Sequence, residues 1–220
     1  MHILPRVVSA MLVMILFGGT SFAAETSGYL GEAYSKLKEA KSVSGVKVKR
    51  WVSPELLSGK YTAVIVESSI LYPEPKPTEQ VSAEVMQQIT AYLDEALQRE
   101  LAGVVEITTE AGPSTLVFKP AITAAAAQEE GFQAYELLPV AFVFGKVKQA
   151  SGGRAKEATL SMEWLVTDGE SKELVGAGMR SGSGQKLKSP TDNVTLDNFK
   201  PLLDAWAKDA RAFFQSTKAK

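Results

Sequence analysis

Thr159-Leu160-Ser161-Met162-Glu163-Trp164-Leu165-Val166-Thr167 alternates in character one residue at a time, and Asp168-Gly169 follows it. In an extended chain successive side chains point to opposite faces. Leu160, Met162, Trp164 and Val166 therefore share one side, and Thr159, Ser161 and Glu163 share the other. A period of two marks a strand with an apolar face. Asp168-Gly169 opens a turn, and residues 173–180 return as the second arm of a β-hairpin. Trp164 is expected to be a core anchor.

Beyond the hairpin, residues 181–196 are polar and read as a loop. Residues 199–216 then read as a helix, with Pro201 tolerated in its first turn. Phe199, Leu202, Leu203, Trp206, Ala210, Phe213 and Phe214 form its apolar stripe, while Lys200, Lys208, Asp209 and Arg211 lie mostly off it. So aromatic a stripe must pack on something, and the sheet of the same domain is the simplest partner.

Upstream, Ala63-Val64-Ile65-Val66 forms the heart of a strand over residues 61–71. Its continuous apolar run implies burial on both faces and a central position. Glu67 marks where that strand reaches solvent. Tyr72-Pro73-Glu74-Pro75-Lys76-Pro77 is a stiff extended connection. Ser82 then caps a helix running to about Ala102, and Gly103 ends it in the favoured position after the C-cap. Short strands are expected at 104–108 and 115–123, the second with Pro120 at an edge or a bulge. Residues 124–127 are ambiguous, and the run at 140–144 fits either a strand or a buried helix turn. Val46-Lys47-Val48-Lys49 alternates like a short strand, and residues 53–60 read as a turn. The element order argues an α+β fold: a mainly antiparallel sheet with two amphipathic helices packed on one face.

The chain opens with Arg6, an apolar run over 7–17, and the small-x-small triplet Ser21-Phe22-Ala23. That layout is a secretory signal, and cleavage is expected between Ala23 and Ala24. The apolar core is too short to span a bilayer, which takes about 20 residues. The organisation is then a signal peptide at 1–23, an N-terminal arm at 24–44, and a single α+β domain at 45–220. Tyr29, Leu30, Tyr34 and Leu37 are placed to pin the arm against the domain. No later stretch approaches spanning length, so no transmembrane span is expected in the trimmed chain.

The formal net charge is −1, with charges of both signs mixed along the chain. That gives no basic stripe for nucleic acid. Cysteine is absent, and the single histidine is His2, within the expected signal. The trimmed chain thus lacks the usual general base, the Ser-His-Asp triad, the thiolate nucleophile and the common zinc ligands. No catalytic residue, cofactor or metal site is expected. Ser35-x-x-Lys38 and Ser183-x-x-Lys186 match the short pattern of a Ser-Lys dyad, but the companion motifs of that enzyme class are missing. A carboxylate pair of the sugar-hydrolase kind stays open, since no spacing singles out two acids. Gly176-Ala177-Gly178-Met179-Arg180-Ser181-Gly182-Ser183-Gly184 lacks the glycine spacing and following helix of a phosphate cradle, and reads as a flexible strand exit.

Several stretches, taken in order, resemble a known family. They are Ser27-Gly28-Tyr29-Leu30, the strand from Lys60 to Val66, the helix around Leu93 to Leu101, Thr115-Leu116-Val117-Phe118 leading into Ala121-Ile122-Thr123, Glu163 with Thr167-Asp168-Gly169-Glu170, and Trp206-Ala207. Together they resemble DUF3313, bacterial envelope proteins of unknown function, many of them lipoproteins. The resemblance implies an envelope location and lends no catalytic residue. The missing cysteine is a departure, and the expectation is a free periplasmic protein.

Three functions follow in order. The first is a non-enzymatic periplasmic domain that binds an envelope protein, with oligomeric state open. The second is a carrier of a small apolar or lipidic ligand, for which Phe142, Phe144, Trp206, Phe213 and Phe214 supply surface. The third is a hydrolase using carboxylates or a Ser-Lys pair.

Overall fold

A computed structural model describes residues 26–75, 77–129 and 156–218. The expected signal at 1–23, the cleavage point between Ala23 and Ala24, and the run at 140–144 with Phe142 and Phe144 lie outside these residues. In chain order, a 3-10 turn at Gly31–Lys36 precedes β1 (Lys38–Lys41), β2 (Lys47–Val52), β3 (Ala63–Val66) and β4 (Ile70–Leu71). Then come α1 (Ala83–Leu101), β5 (Glu106–Ile107), β6 (Thr115–Glu129), β7 (Lys156–Asp168), β8 (Leu174–Lys186) and α2 (Leu196–Lys218).

The alternating hairpin is β7 and β8, paired antiparallel. The sheet runs β1-β2-β8-β7-β6-β3-β5, with β4 also beside β6. From β1 to β6 every pairing is antiparallel. From β6 through β3 to β5, and between β4 and β6, pairing is parallel. The sheet is therefore mixed, where a mainly antiparallel one was expected. The cause is α1. It carries the chain across one face between β3–β4 and β5–β6, so the returning strands re-enter in the original direction.

The stretch 61–71 is two short strands instead of one. Between them the Ser69 amide turns away and donates to Asp94 Oδ1 of α1 at 2.8 Å. β3 lies between β6 and β5, with Val64 fully buried. Glu67 is exposed, as its position at the strand end implied. The break in the strand also explains Pro120, which sits inside the sheet and not at its edge. β3 ends opposite Phe118 and β4 begins opposite Ala121, so no ladder partner on that side asks for the missing N–H. Beyond a bulge between Ile122 and Ala124, β6 continues as strand through the ambiguous alanines to Glu129.

The polar stretch after Arg180 is also not the loop it resembled, because β8 runs on to Lys186. Its glycines serve close approach. A Cβ on Gly182 would stand 2.6 Å from Leu202 Cδ1, and one on Gly184 would stand 2.1 Å from the Asn198 carbonyl oxygen. One on Gly178 would meet the Trp164 ring at 2.2 Å. Glycine lets α2 and Trp164 lie directly on the strand.

In α1 the Ser82 hydroxyl accepts the Val85 amide at 3.2 Å. The helix buries Met86, Ile89, Leu93, Ala96, Leu97 and Leu101, and Gly103 follows with φ of 77°. α2 starts earlier than Phe199, since Asn198 Oδ1 accepts both the Thr195 amide and its hydroxyl, at 2.8 and 3.0 Å. α1 rests on β3, β4 and β5, α2 rests on β7 and β8, and the helices pack on each other. Their apolar faces join Leu116, Phe118, Ile122, Leu160 and Met162 in one core. A smaller cluster sets Leu30 and Ala33 of the N-terminal arm against Ala177. Ala177 and Gly182 stand on opposite sides of β8, so the arm covers the sheet face that the helices leave open. No helix among the described residues is long and apolar enough to cross a membrane.

Candidate functional site

On the helix side a cavity of about 100 Å³ lies between α2, β2, β7 and β8. Its lining is largely apolar and includes Val48, Leu56, Phe118, Met162, Phe213 and Phe214. Trp164 and Trp206 turn their rings to this space, whereas Trp51 borders it from β2 with its ring on the arm face, 4.4 Å from Lys36 Nζ. Trp164 is thus only partly buried, a cavity wall as well as a core contact. Of the aromatics that the sequence offered for a ligand surface, Trp206, Phe213 and Phe214 meet here. The exposed Val43, in the turn between β1 and β2, also borders the cavity.

A buried ion pair stands in this apolar wall. Arg180 Nη1 donates to Asp209 Oδ2 at 3.0 Å, with side chains 6% and 10% exposed. Asp209 also accepts the Ser44 amide at Oδ1 (3.1 Å) and the Ser44 hydroxyl at Oδ2 (3.0 Å). The Arg180 guanidinium lies 5.1 Å from the centre of the Trp206 ring. Burial pulls Arg180 below its ordinary value, against the pull of Asp209. Burial pushes Asp209 up, but hydrogen bonds from Ser44 and the Arg180 charge outweigh it and hold Asp209 below its ordinary value. Asp209 is held charged at neutral pH, a guanidinium keeps its proton in proteins, and among the described residues Arg180 Nε is buried without a hydrogen-bond partner.

Asp209 was expected mostly off the apolar stripe of α2. It lies one turn beyond Trp206, on the same face, and is buried. Arg180 and Asp209 are the site residues that sequence reasoning missed. Their signal was faint: a charge at an inward period-two position between two glycines, and an acid in register with an aromatic stripe.

On the opposite face, Glu163 is fully buried under the arm. Tyr34 Oη donates to Glu163 Oε2 at 2.6 Å. The Ser27 and Tyr34 hydroxyls are 3.0 Å apart. Among the described residues Glu163 Oε1 and Thr123 Oγ1 are buried with no well-formed hydrogen bond, although the Ser27 and Thr123 hydroxyls stand close enough to favour the charged carboxylate. Burial raises the Glu163 carboxyl above its ordinary value. Tyr29 is pushed up to about 12 by burial and by the Glu67 and Glu163 charges. This cluster fastens the arm, and its carboxylate is fully buried, so the cavity is the better candidate for ligand.

The two serine–lysine candidates are not joined as dyads. The Ser35 hydroxyl donates to the Glu32 carbonyl at 2.7 Å, and the Ser183 hydroxyl to Glu157 Oε1 at 2.8 Å. Lys38 begins β1 and is exposed, and Lys186 ends β8. Among the described residues no cluster of His, Cys, Asp and Glu could hold a metal ion.

Residues 25–210 match the model of a protein family of unknown function, DUF3313. The chain belongs to DUF3313. An uncharacterized lipoprotein of this kind, YdcL of Escherichia coli K12, is 34% identical over 187 residues, covering 85% of this chain and 84% of the relative. The same protein in Escherichia coli O157:H7 gives the same figures. Solved structures with a similar course of chain share little sequence with this DUF3313 member. The PelC dodecamer subunit of Paraburkholderia phytofirmans is 9% identical with a TM-score of 0.39, over 74% of this chain and 96% of that one. XCC0632 of Xanthomonas campestris is 14% identical with a TM-score of 0.41, over 72% and 86%. A minor lipoprotein of Acinetobacter baumannii is 10% identical with a TM-score of 0.35, over 72% and 95%. None of these likenesses brings a ligand or an assembly to the DUF3313 chain.

Proposed function

We propose that this DUF3313 protein is an exported, non-enzymatic envelope domain that holds a small apolar molecule in the cavity beneath α2. The observation that carries the proposal is an apolar, aromatic-walled space that packing has left unfilled, in a class of molecule whose interiors are normally filled. An engineered apolar cavity of about 150 Å³ is enough to bind benzene. A space of about 100 Å³ suits a short alkyl segment, and the rest of a longer chain would leave past Val43. The absence of histidine after His2 and of cysteine throughout supports binding over catalysis.

Export rests on the signal-like start, with trimming between Ala23 and Ala24. Although the relatives are named lipoproteins, this sequence holds no cysteine to take a lipid, and the proposal places the trimmed chain free in the periplasm. N-terminal sequencing and fractionation test that part: a chain beginning at Met1, or one pelleting with membranes, overturns it.

Protein purified from the periplasm is expected to show a co-purifying small mass by native mass spectrometry. Titration with 1-octanol should shift and saturate the tryptophan emission, since the Trp164 and Trp206 rings wall the cavity. A chain free of bound mass and indifferent to octanol would end the proposal. A second reading is favoured by the hairpin turn, where Val43 and Val46 are 55% and 45% exposed. An envelope protein inserting one apolar side chain past Val43 would use the same mouth. Chemical-shift changes that appear with envelope extract but not with octanol would favour it.

A further inference from the structure

We propose that the molecule held in the cavity is an apolar monocarboxylate, its acid end gripped by Arg180 and Arg50. This rests on the cavity being a binding site and adds the chemistry of its occupant.

The charged side chains lining the cavity are Arg50, Arg180 and Asp209. Two cations face one anion, so the lining has an excess positive charge in mostly apolar surroundings. Asp209 is well satisfied, accepting from Arg180 and twice from Ser44. Arg180 is not. A guanidinium offers five N–H donors in a planar fork, and here Nη1 goes to Asp209 while Nε is buried with none. A buried donor left unmet is costly, and a carboxylate is the acceptor whose geometry the fork matches.

Arg50 stands on the neighbouring strand. Its register partner across β2 and β8 is Gly178, which makes Arg180 a diagonal neighbour on the same face. Such neighbours lie about 7–8 Å apart, within reach of one another's long side chains. The Arg50 guanidinium lies 5.5 Å from the centre of the Phe213 ring, half-buried at the cavity wall. The two arginines, with Asp209 and Ser42, thus mark the polar end of a space whose remaining lining is apolar. Hydrocarbon alone would leave the excess charge unanswered, and a cationic amphiphile would add to it. A monoanion with an alkyl tail answers both halves of the lining.

The test is a tryptophan-emission titration of the whole trimmed protein with three probes of equal chain length: octanoate, 1-octanol and octylammonium. Octanoate is expected to bind about tenfold or more tighter than octanol, the size of one charge-assisted hydrogen bond, and octylammonium weakest. Arg50→Gln should bring octanoate down to the octanol affinity measured on the same variant. Arg180→Met combined with Asp209→Leu, which removes both buried charges together, should do the same without leaving either unpaired. Octanoate and octanol binding equally to the natural protein would overturn the carboxylate while leaving an apolar site intact. Failure of all three probes to bind would remove the site itself.

Discussion

The two faces of the sheet bury charge in opposite ways. On the helix face Arg180 and Asp209 neutralise each other, and Ser44 completes the carboxylate. On the arm face Glu163 is buried with no cation against it among the described residues, held by the Tyr34 hydroxyl. A paired charge survives burial as an ion, whereas an unpaired one meets the cost of burial by holding its proton more tightly. The first arrangement can stay polar beside an apolar cavity at any neutral pH. The second ties the grip of the N-terminal arm to pH.

The largest expected effect breaks the paired side. Asp209→Ala strands Arg180 and should cost about 3–5 kcal/mol in urea unfolding. Replacing both groups, Arg180→Met with Asp209→Leu, should recover most of that. A double variant as unstable as the single one would show that the pair is not what holds this wall. Next comes the contact that lets α2 reach the sheet. Gly184→Ala places a Cβ 2.1 Å from the Asn198 backbone oxygen, and overpacking of this kind should cost about 1–3 kcal/mol, read as a lower Tm.

On the unpaired side, Tyr34→Phe deletes the hydroxyl that meets Glu163 and should cost about 1–3 kcal/mol near neutral pH. Limited proteolysis should then cut the arm faster than in the natural chain. The pH dependence sharpens the contrast. Because the folded Glu163 carboxyl is raised by burial, its contribution is fully present below the unfolded glutamate value of about 4.3 and is lost as pH rises through the folded value.

Asp168 runs the other way. Burial alone would raise it, but hydrogen bonds from the Ser171 amide, Lys60, Tyr61 and the Glu170 amide win and hold it well below the ordinary range. Its contribution is present above the unfolded aspartate value of about 3.9 and fades as pH falls through the folded value. Stability measured from pH 3 to 8 should therefore show Glu163→Gln gaining on the natural chain as pH rises. Asp168→Asn should lose least at the acid end. Parallel curves for the two variants would refute the assignment. The smallest effect is expected at Arg99, paired with Asp204 at the surface and 52% exposed. Arg99→Gln should change stability by less than about 1 kcal/mol.

Local pattern made much of this legible. The hairpin of β7 and β8, the Ser82 cap, the Gly103 stop and the aromatic stripe of α2 each follow from neighbours a few residues apart. The arm residues Tyr29, Leu30 and Tyr34 were readable as anchors for the same reason. The glycines of β8 were legible as glycines but not in purpose. Flexibility and close approach call for the same residue, and only the presence of Leu202 and Asn198 over Gly182 and Gly184 separates them. Asp209 misled because a charge on an amphipathic helix normally faces water. Its partner lies on β8, out of reach of any helical period.

By itself, then, the sequence determined the α+β class, the hairpin, both helices and a chain poor in reactive side chains, because these depend on short-range periodicity and on composition. Tertiary structure alone decided the parallel half of the sheet, the fate of Glu163, and the meeting of Arg180, Asp209, Trp164 and Trp206 around one cavity. Those features join residues distant along the chain. Whether a buried charge finds a partner there is set by which strands and helices become neighbours.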